Sequence, residues 1–158
     1  MSDRDLDAVD RGIIYLLQQD ARRTITDIAE TVNVSANTVR NRIDRLESRG
    51  VIEGYSVDVD FNKTHSQHYY QFVCTTPVSD REERVEEILS IDGILKVRTL
   101  MTGTRNLLVT AVGETSDEIT DIAKELDSRD HVDIEFEDLI RIEKCQPLSK
   151  YNIKNITN

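Results

Sequence analysis

The chain is 158 residues long, enough for one ordinary domain or two small ones. Hydrophobic residues make up 38% and charged residues 32%, a soluble globular balance, and no apolar run approaches the roughly 20 residues of a membrane span. Acidic residues outnumber basic ones by 30 to 20, a net charge of −10 that suits a salt-rich cytoplasm and argues, taken globally, against phosphate binding.

The chain starts Met1-Ser2-Asp3-Arg4-Asp5, charged throughout and without the apolar core of a signal peptide. This predicts a cytoplasmic protein with no membrane partner. From Leu6, apolar residues fall at Leu6, Val9, Ile13, Leu16 and Leu17, a single helical stripe. Asp5, Asp7 and Asp10 lie in or near its first turn, where they favour the positive end of the helix dipole. A second helix opens at the N-cap Thr24 and buries Ile25, Ile28, Ala29 and Val32. Asn33 then tolerates the left-handed turn that the chain needs. Ser35 caps a third helix with a buried stripe of Val39, Ile43 and Leu46, and Gly50 closes it as a left-handed C-cap. Residues 1–50 therefore predict a helix-turn-helix domain.

At about 100° per residue, Asn37, Asn41, Asp44 and Arg45 face away from that stripe, and Arg40 and Arg42 flank it. Asn pairs bidentately with adenine, and Arg with guanine or phosphate, so this front has the chemistry of a major-groove reader. Ser35 and Thr38 start the helix near the DNA backbone, and Arg22 and Arg23 sit in the preceding turn, where such domains meet phosphate. Residues 1–62 carry 8 basic and 12 acidic side chains, but residues 33–50 carry four Arg against Asp44 and Glu47. The domain is acidic and its third helix is not. Double-stranded DNA is the partner this pattern predicts, through Arg22, Arg23, Ser35, Asn37, Thr38, Arg40, Asn41, Arg42 and Arg45.

Residues 51–67 read as an extended strand and polar linker, with Val57, Val59 and Phe61 on one side. From His68 to Cys145 the pattern changes to a strand (His68 to Thr75), a helix (Arg81 to Ile91), and a second strand (Ile94 to Met101). A turn (Thr102 to Asn106) leads to a third strand (Leu107 to Val112). A helix capped by Ser116 and a fourth strand from Val132 through Ile142 complete it, with a bulge expected near Asp138. Two β-α-β halves predict a ferredoxin-like antiparallel sheet with both helices on one face. The other face lacks cover, which predicts a symmetric homodimer through it. Residues 146–158 contain no acid and predict a flexible tail.

Cys74 and Cys145 lie far apart and predict neither disulfide nor zinc site, each acting as a small packing residue. His65, His68 and His131 show no ligand spacing. No nucleophile elbow, phosphate-cradling loop or other catalytic constellation is present, so neither an enzyme nor a cofactor is expected.

As a set, Leu6-Asp7-x-x-Asp10-x-x-Ile13-x-x-x-Leu17, Asp20-Ala21-Arg22, Ile28-Ala29, Val34-Ser35-x-x-Thr38-Val39-x-x-Arg42-Ile43-x-x-Leu46-Glu47 and Gly50-Val51-Ile52-x-Gly54-Tyr55 resemble the leucine-responsive and asparagine-synthase regulators, the Lrp/AsnC family of bacterial and archaeal transcription factors. The resemblance implies an α+β protein. It would join an N-terminal winged-type helix-turn-helix domain to a C-terminal ferredoxin-like βαββαβ domain for effector binding and dimerisation. It also implies dimers that assemble into tetramers or octamers, and an amino-acid effector bound near the turn Met101-Thr102-Gly103-Thr104-Arg105-Asn106. Asn106 stands where the family often has Asp, which removes the full charge that would favour an ammonium group. With the acid excess, the resemblance fits a halophilic archaeon. Two other readings share the architecture. One is a sirohaem-decarboxylase-like enzyme, whose characteristic His residues are missing between Lys96 and Asn106. The other is a metabolite-binding protein with a vestigial DNA-binding domain.

Overall fold

In the computed structural model, which describes residues 6–152, the chain divides into two compact units, residues 1–58 with 144–158, and residues 59–143.

The first unit is built on three helices, α1 (Ala8–Gln19), α2 (Ile25–Val32) and α3 (Ala36–Ser48). Their boundaries follow local chemistry. Asp7 caps α1, Thr24 caps α2 and Ser35 caps α3, each side chain accepting from the backbone N–H three residues on. Asn33 ends α2 at φ 56°, and Gly50 (φ 64°) ends α3 with its N–H on Glu47 O and the Val51 N–H on Leu46 O. The stripes predicted from spacing converge on one core of Ile13, Leu16, Ile28, Ala29, Val39, Ile43 and Leu46. Residues 53–60 run extended but join no sheet, so the wing implied by the resemblance is not a paired hairpin. Alternation dictates an extended chain, whereas a strand also needs a partner.

Residues 146–152 depart from the flexible tail read from composition. A 3-10 turn, Ser149–Tyr151, packs on α1, with the Leu148 N–H on Gln18 Oε1 (3.3 Å) and Asn152 Nδ2 donating to Tyr15 OH (2.9 Å). Polar composition signalled solvent exposure, and the side-chain amide of Asn152 instead satisfies a tyrosine hydroxyl. The rest of the expected tail, residues 153–158, lies outside the described residues, as does Asp5.

The second unit carries β1 (His68–Thr75), α4 (Arg81–Leu89), β2 (Ile94–Thr99), β3 (Leu107–Gly113), α5 (Ser116–Asp127) and β4 (Asp133–Leu139). The four strands form one antiparallel sheet ordered β2-β3-β1-β4, the ferredoxin-like arrangement. One face, with Phe72, Cys74, Leu107, Val109 and Ala111, packs with Ile88, Ile91, Ile119, Ile122 and Leu126 into the core. Register places Arg98, Leu108, Val73 and Phe136 in one row across the opposite face, and Lys96, Thr110, Gln71 and Asp138 in the next.

Two local expectations need correction. Thr115, not Ser116, caps α5, its Oγ1 accepting from the Glu118 N–H. The β4 bulge lies where Val73 pairs Phe136 and Cys74 pairs Ile134, leaving Glu135 as the extra residue, and not near Asp138. Cys74 packs as expected, and burial together with Asp133 and Glu135 pushes its thiol up to about 12. Cys145 is exposed and packs against nothing comparable.

Of the glycines in this unit, Gly93 has the least room for a side chain. At φ 84°, a Cβ there would lie 2.7 Å from Ile122 Cδ1 and 2.8 Å from Val112 O. The Gly93→Ala substitution therefore combines backbone strain with overpacking, and is expected to cost about 3 kcal/mol. A urea-denaturation midpoint unchanged from the parent protein would contradict this packing.

Candidate nucleic-acid interface

Helix α3 begins at Ser35, whose Oγ accepts from the Thr38 N–H (3.1 Å) and pairs with Thr38 Oγ1 (2.8 Å). Both hydroxyls are thus occupied in capping the helix. Asn37, Arg40 and Asn41 follow on its exposed side, opposite the buried Val39, Ile43 and Leu46. Among the described residues no side-chain hydrogen bond or ion pair engages Asn37, Arg40, Asn41, Arg22 or Arg23. Arg22 and Arg23 occupy the α1–α2 turn, which Asp20 shapes by accepting the Arg22 N–H (2.9 Å).

Arg42 and Arg45 are placed differently from the expectation. Asp10 in α1 is 1% exposed, and its carboxylate accepts from Arg42 Nη1 (2.9 Å) and from Arg45 Nη2 (2.8 and 3.0 Å). Arg42 Nη1 also pairs with Asp7 Oδ2. Asp7 and Asp10 form a capping box at the head of α1, with the Asp10 N–H on Asp7 Oδ1 (2.8 Å) and the Asp7 N–H on Asp10 Oδ2 (3.3 Å). Two of the three guanidiniums that α3 was expected to offer to DNA, those of Arg42 and Arg45, therefore pair with carboxylates at the head of α1. Partial burial would raise the Asp7 pKa, but the Arg42 guanidinium and the Asp10 N–H outweigh it and hold the carboxyl below its ordinary value. Its contribution to stability is thus present above the unfolded carboxylate range and is lost as pH falls through the depressed folded value.

Sequence reasoning treated these acids as dipole partners and missed the ion pairs. A signal was present, because Asp10 sits one turn before Ile13 on the apolar stripe of α1, where an acid needs a buried cation. Tyr55 was also missed. Its hydroxyl donates to Glu47 Oε1 (2.8 Å), tying the extended segment to the end of α3, and burial with that carboxylate pushes it up to about 12.

In the second unit the turn between β2 and β3 holds the expected effector residues. Met101, Thr102, Gly103, Thr104 and Arg105 are exposed, Gly103 has φ 91°, and the Arg105 guanidinium lies 4.3 Å from the Phe136 ring centroid. Asn106 does not join them. It is buried, its Nδ2 donates to Thr76 O (2.8 Å), and its Oδ1 accepts the Thr76 N–H (3.0 Å). Its own N–H reaches Cys74 O (3.1 Å) and its carbonyl takes the Leu100 N–H (2.8 Å). Asn106 thus sits apart from the exposed residues with which the sequence grouped it. The amide instead clamps the end of β1, which requires one donor and one acceptor, and a carboxylate cannot supply both. An open groove of about 450 Å³ lies elsewhere, along Arg81, Glu82, Val85, Glu86 and Thr99.

The histidines do not gather. His131 Nδ1 lies 2.7 Å from Asp80 Oδ2, and no cluster of three metal-ligating side chains occurs among the described residues.

Fold and site together define a helix-turn-helix protein with a ferredoxin-like second domain. Residues 6–47 match the model of the AsnC-type helix-turn-helix domain, so this part of the chain is a domain of that type. The HTH-type transcriptional regulator LrpA of Pyrococcus horikoshii is 35% identical over 83 residues, 52% of this chain and 56% of that protein. The chain thus spans little more than half the length of this curated relative. Among solved structures, MtbAldR has a TM-score of 0.74 at 22% identity, covering 90% of this chain and 99% of that one. A transcriptional regulator of Neisseria meningitidis in complex with L-Met has a TM-score of 0.69 at 18% identity, covering 91% and 96%. At these identities the two structures establish the α+β fold.

The Asn106→Asp substitution is expected to destabilise the protein by about 2 kcal/mol near neutral pH, since it sets a buried charge against the Thr76 carbonyl. Burial raises the pKa of the introduced carboxyl, so the loss shrinks as pH falls and the protonated acid can donate again. Denaturation midpoints of the variant and parent at neutral and mildly acidic pH measure this difference. A constant offset would contradict the clamp.

Proposed function

We propose that the whole chain is a sequence-specific DNA-binding transcriptional regulator of the Lrp/AsnC family, working in the cytoplasm as a homodimer or higher oligomer. The observation that carries this reading is the face of α3. Asn37, Arg40 and Asn41 stand exposed and unpaired behind the Ser35 cap, on a helix whose opposite side is locked into the core. Asn41 and Asn37 supply paired donor and acceptor groups for adenine, and Arg40 supplies a fork for guanine or phosphate. Arg22 and Arg23 hold the duplex by its backbone, and Ser35 and Thr38 set the helix start against it. The AsnC-type match over this segment and the regulator names of its relatives support the same reading.

The second domain serves assembly and effector binding. The helix-free face of its sheet, with Val73, Leu108 and Phe136 in one row, suits a symmetric contact between copies. The exposed turn Met101 to Arg105 is the effector site, and an amino acid is the ligand class, in line with the L-Met complex of the Neisseria regulator. With Asn106 committed to the backbone, Arg105 is the charged side chain of this turn and favours the carboxylate of such a ligand over its ammonium group. The acid excess adapts the surface to a salt-rich cytoplasm, as in a halophilic archaeon.

Selection from a random duplex pool at low and high potassium chloride tests the reading, and a roughly palindromic site should be enriched. Replacing Arg40 and Asn41 together by Ala is expected to weaken binding to that site at least tenfold while leaving helix content unchanged. Unaltered binding by the double variant would remove α3 from base reading. Light scattering at micromolar concentration should give a mass of at least two chains, and a monomer would refute assembly through the sheet.

A further inference from the structure

Of the four arginines between residues 33 and 50, Arg40 carries no partner among the described residues, while Arg42 and Arg45 meet carboxylates from a helix more than thirty positions upstream. Asp10 is the centre of that arrangement. It is 1% exposed, and Arg45 remains about half exposed at 49% of its side chain. Arg45 meets Asp10 through Nη2 alone and Arg42 through Nη1 alone. Either guanidinium can swing as a whole onto phosphate only by leaving Asp10 with one partner fewer, and while it stays its net charge is already shared with that carboxylate. A buried carboxylate stripped of its cations suffers a desolvation penalty that a solvent-exposed phosphate contact, screened by salt, does not match. The buried acid therefore holds its cations against the duplex.

We propose that Asp10 is a positioning residue for DNA recognition, one that captures the guanidiniums of Arg42 and Arg45 and thereby withholds them from phosphate while fixing which side of α3 faces outward. This rests on the DNA-binding reading above. Two consequences follow from the geometry. Because the capping box joins Asp10 to Asp7, both acids are fixed to the first turn of α1, so α3 is indexed to α1 by ion pairs in addition to the shared core. Because two of the cations on α3 are neutralised internally, sequence-independent attraction to DNA is lowered and base reading by Asn37, Arg40 and Asn41 carries a larger share of binding. With Arg40, Arg42 and Arg45 all free, the helix would bind any duplex more tightly and discriminate less.

The test is a double-variant cycle on the salt dependence of binding to a random-sequence 30-base-pair duplex. Each phosphate neutralised steepens the slope of log K against log salt by about 0.9. Asp10→Asn should steepen the slope by about one unit, as Arg45 becomes free, and raise affinity for the random duplex several-fold at low salt. In the same variant, the enrichment obtained from pool selection should fall. Arg45→Gln should flatten the slope by about one unit in the Asp10→Asn background and by much less in the parent chain. A purely structural role for Asp10 would not create that coupling. If Arg45→Gln flattens the slope equally in both backgrounds, Arg45 touches phosphate in the parent protein and the proposal is overturned. If Asp10→Asn does not fold, Asp7→Asn, with a 37% exposed carboxylate and the single cation Arg42, replaces it in a cycle with Arg42→Gln under the same criteria. Failure of the parent protein to bind any duplex at low salt would instead overturn the DNA-binding reading, a result separate from every outcome of the cycle.

Discussion

The helix-turn-helix unit depends on one buried carboxylate. Asp10 sits on the apolar side of α1 at 1% exposure, a place where an acid survives only with cations and donors around it. It takes Arg42, Arg45 and the Asp7 N–H, and each of these partners lies on an element that the core also orients. The core of Ile13, Leu16, Ile28, Val39, Ile43 and Leu46 brings α1 against α3 without specifying a unique rotation, since apolar contacts are non-directional. Hydrogen-bonded ion pairs are directional. The division of labour is physical: burial supplies the attraction, and the clamp adds a directional constraint to it.

Most of the architecture was legible because it follows short-range rules. Helix stripes, the caps at Thr24 and Ser35, the left-handed Asn33 and Gly50, and the strand at His68–Thr75 are decided within a few residues, and the structure has each of them. The order of the two β-α-β halves then admits few sheet topologies. What was not legible is long-range. Arg42 and Asp10 are 32 residues apart, Asn106 and Thr76 are 30 apart, and the docking of residues 148–152 on α1 spans 130 to 137. Local pattern cannot rank such pairs, because the same polar residue is equally good at a surface. The misplaced bulge has the same origin: alternation breaks at Asp138, but the extra residue is decided by what β1 presents opposite.

The charge of α3 is also set at long range. Counting residues 33–50 gives an excess of two positive charges, and adding Asp7 and Asp10, which the fold delivers to the same cluster, cancels it. In this acidic chain of net charge −10, the helix proposed to read DNA thus lacks a strongly cationic surface. In a salt-rich solvent this has an advantage, because phosphate contacts lose strength with ionic strength while hydrogen bonds to base edges are affected far less. Exposed Asn37 and Asn41, proposed above as base readers, are neutral and would suit that condition.

The second domain repeats the same use of a polar side chain to fix backbone. Asn106 closes β1 onto β3 with both ends of its amide, as Asp10 closes α1 onto α3 with both carboxylate oxygens. The choice of group follows from the partner. A peptide unit offers one donor and one acceptor and is matched by an amide, whereas two guanidiniums offer only donors and are matched by an anion. The difference bears on ligand chemistry at the neighbouring turn. A carboxylate at position 106 would leave the Thr76 carbonyl without a donor and would set a negative charge beside an exposed loop. With the amide, that loop keeps Gly103 for backbone freedom and Arg105 as its charge, the latter resting on the Phe136 ring of β4. The strand that contributes Phe136 also contributes it to the helix-free face of the sheet, so a ligand that drew Arg105 away from the ring would alter the surface proposed for assembly. The proposed effector turn and the proposed contact between copies would in this way be connected through a single aromatic side chain.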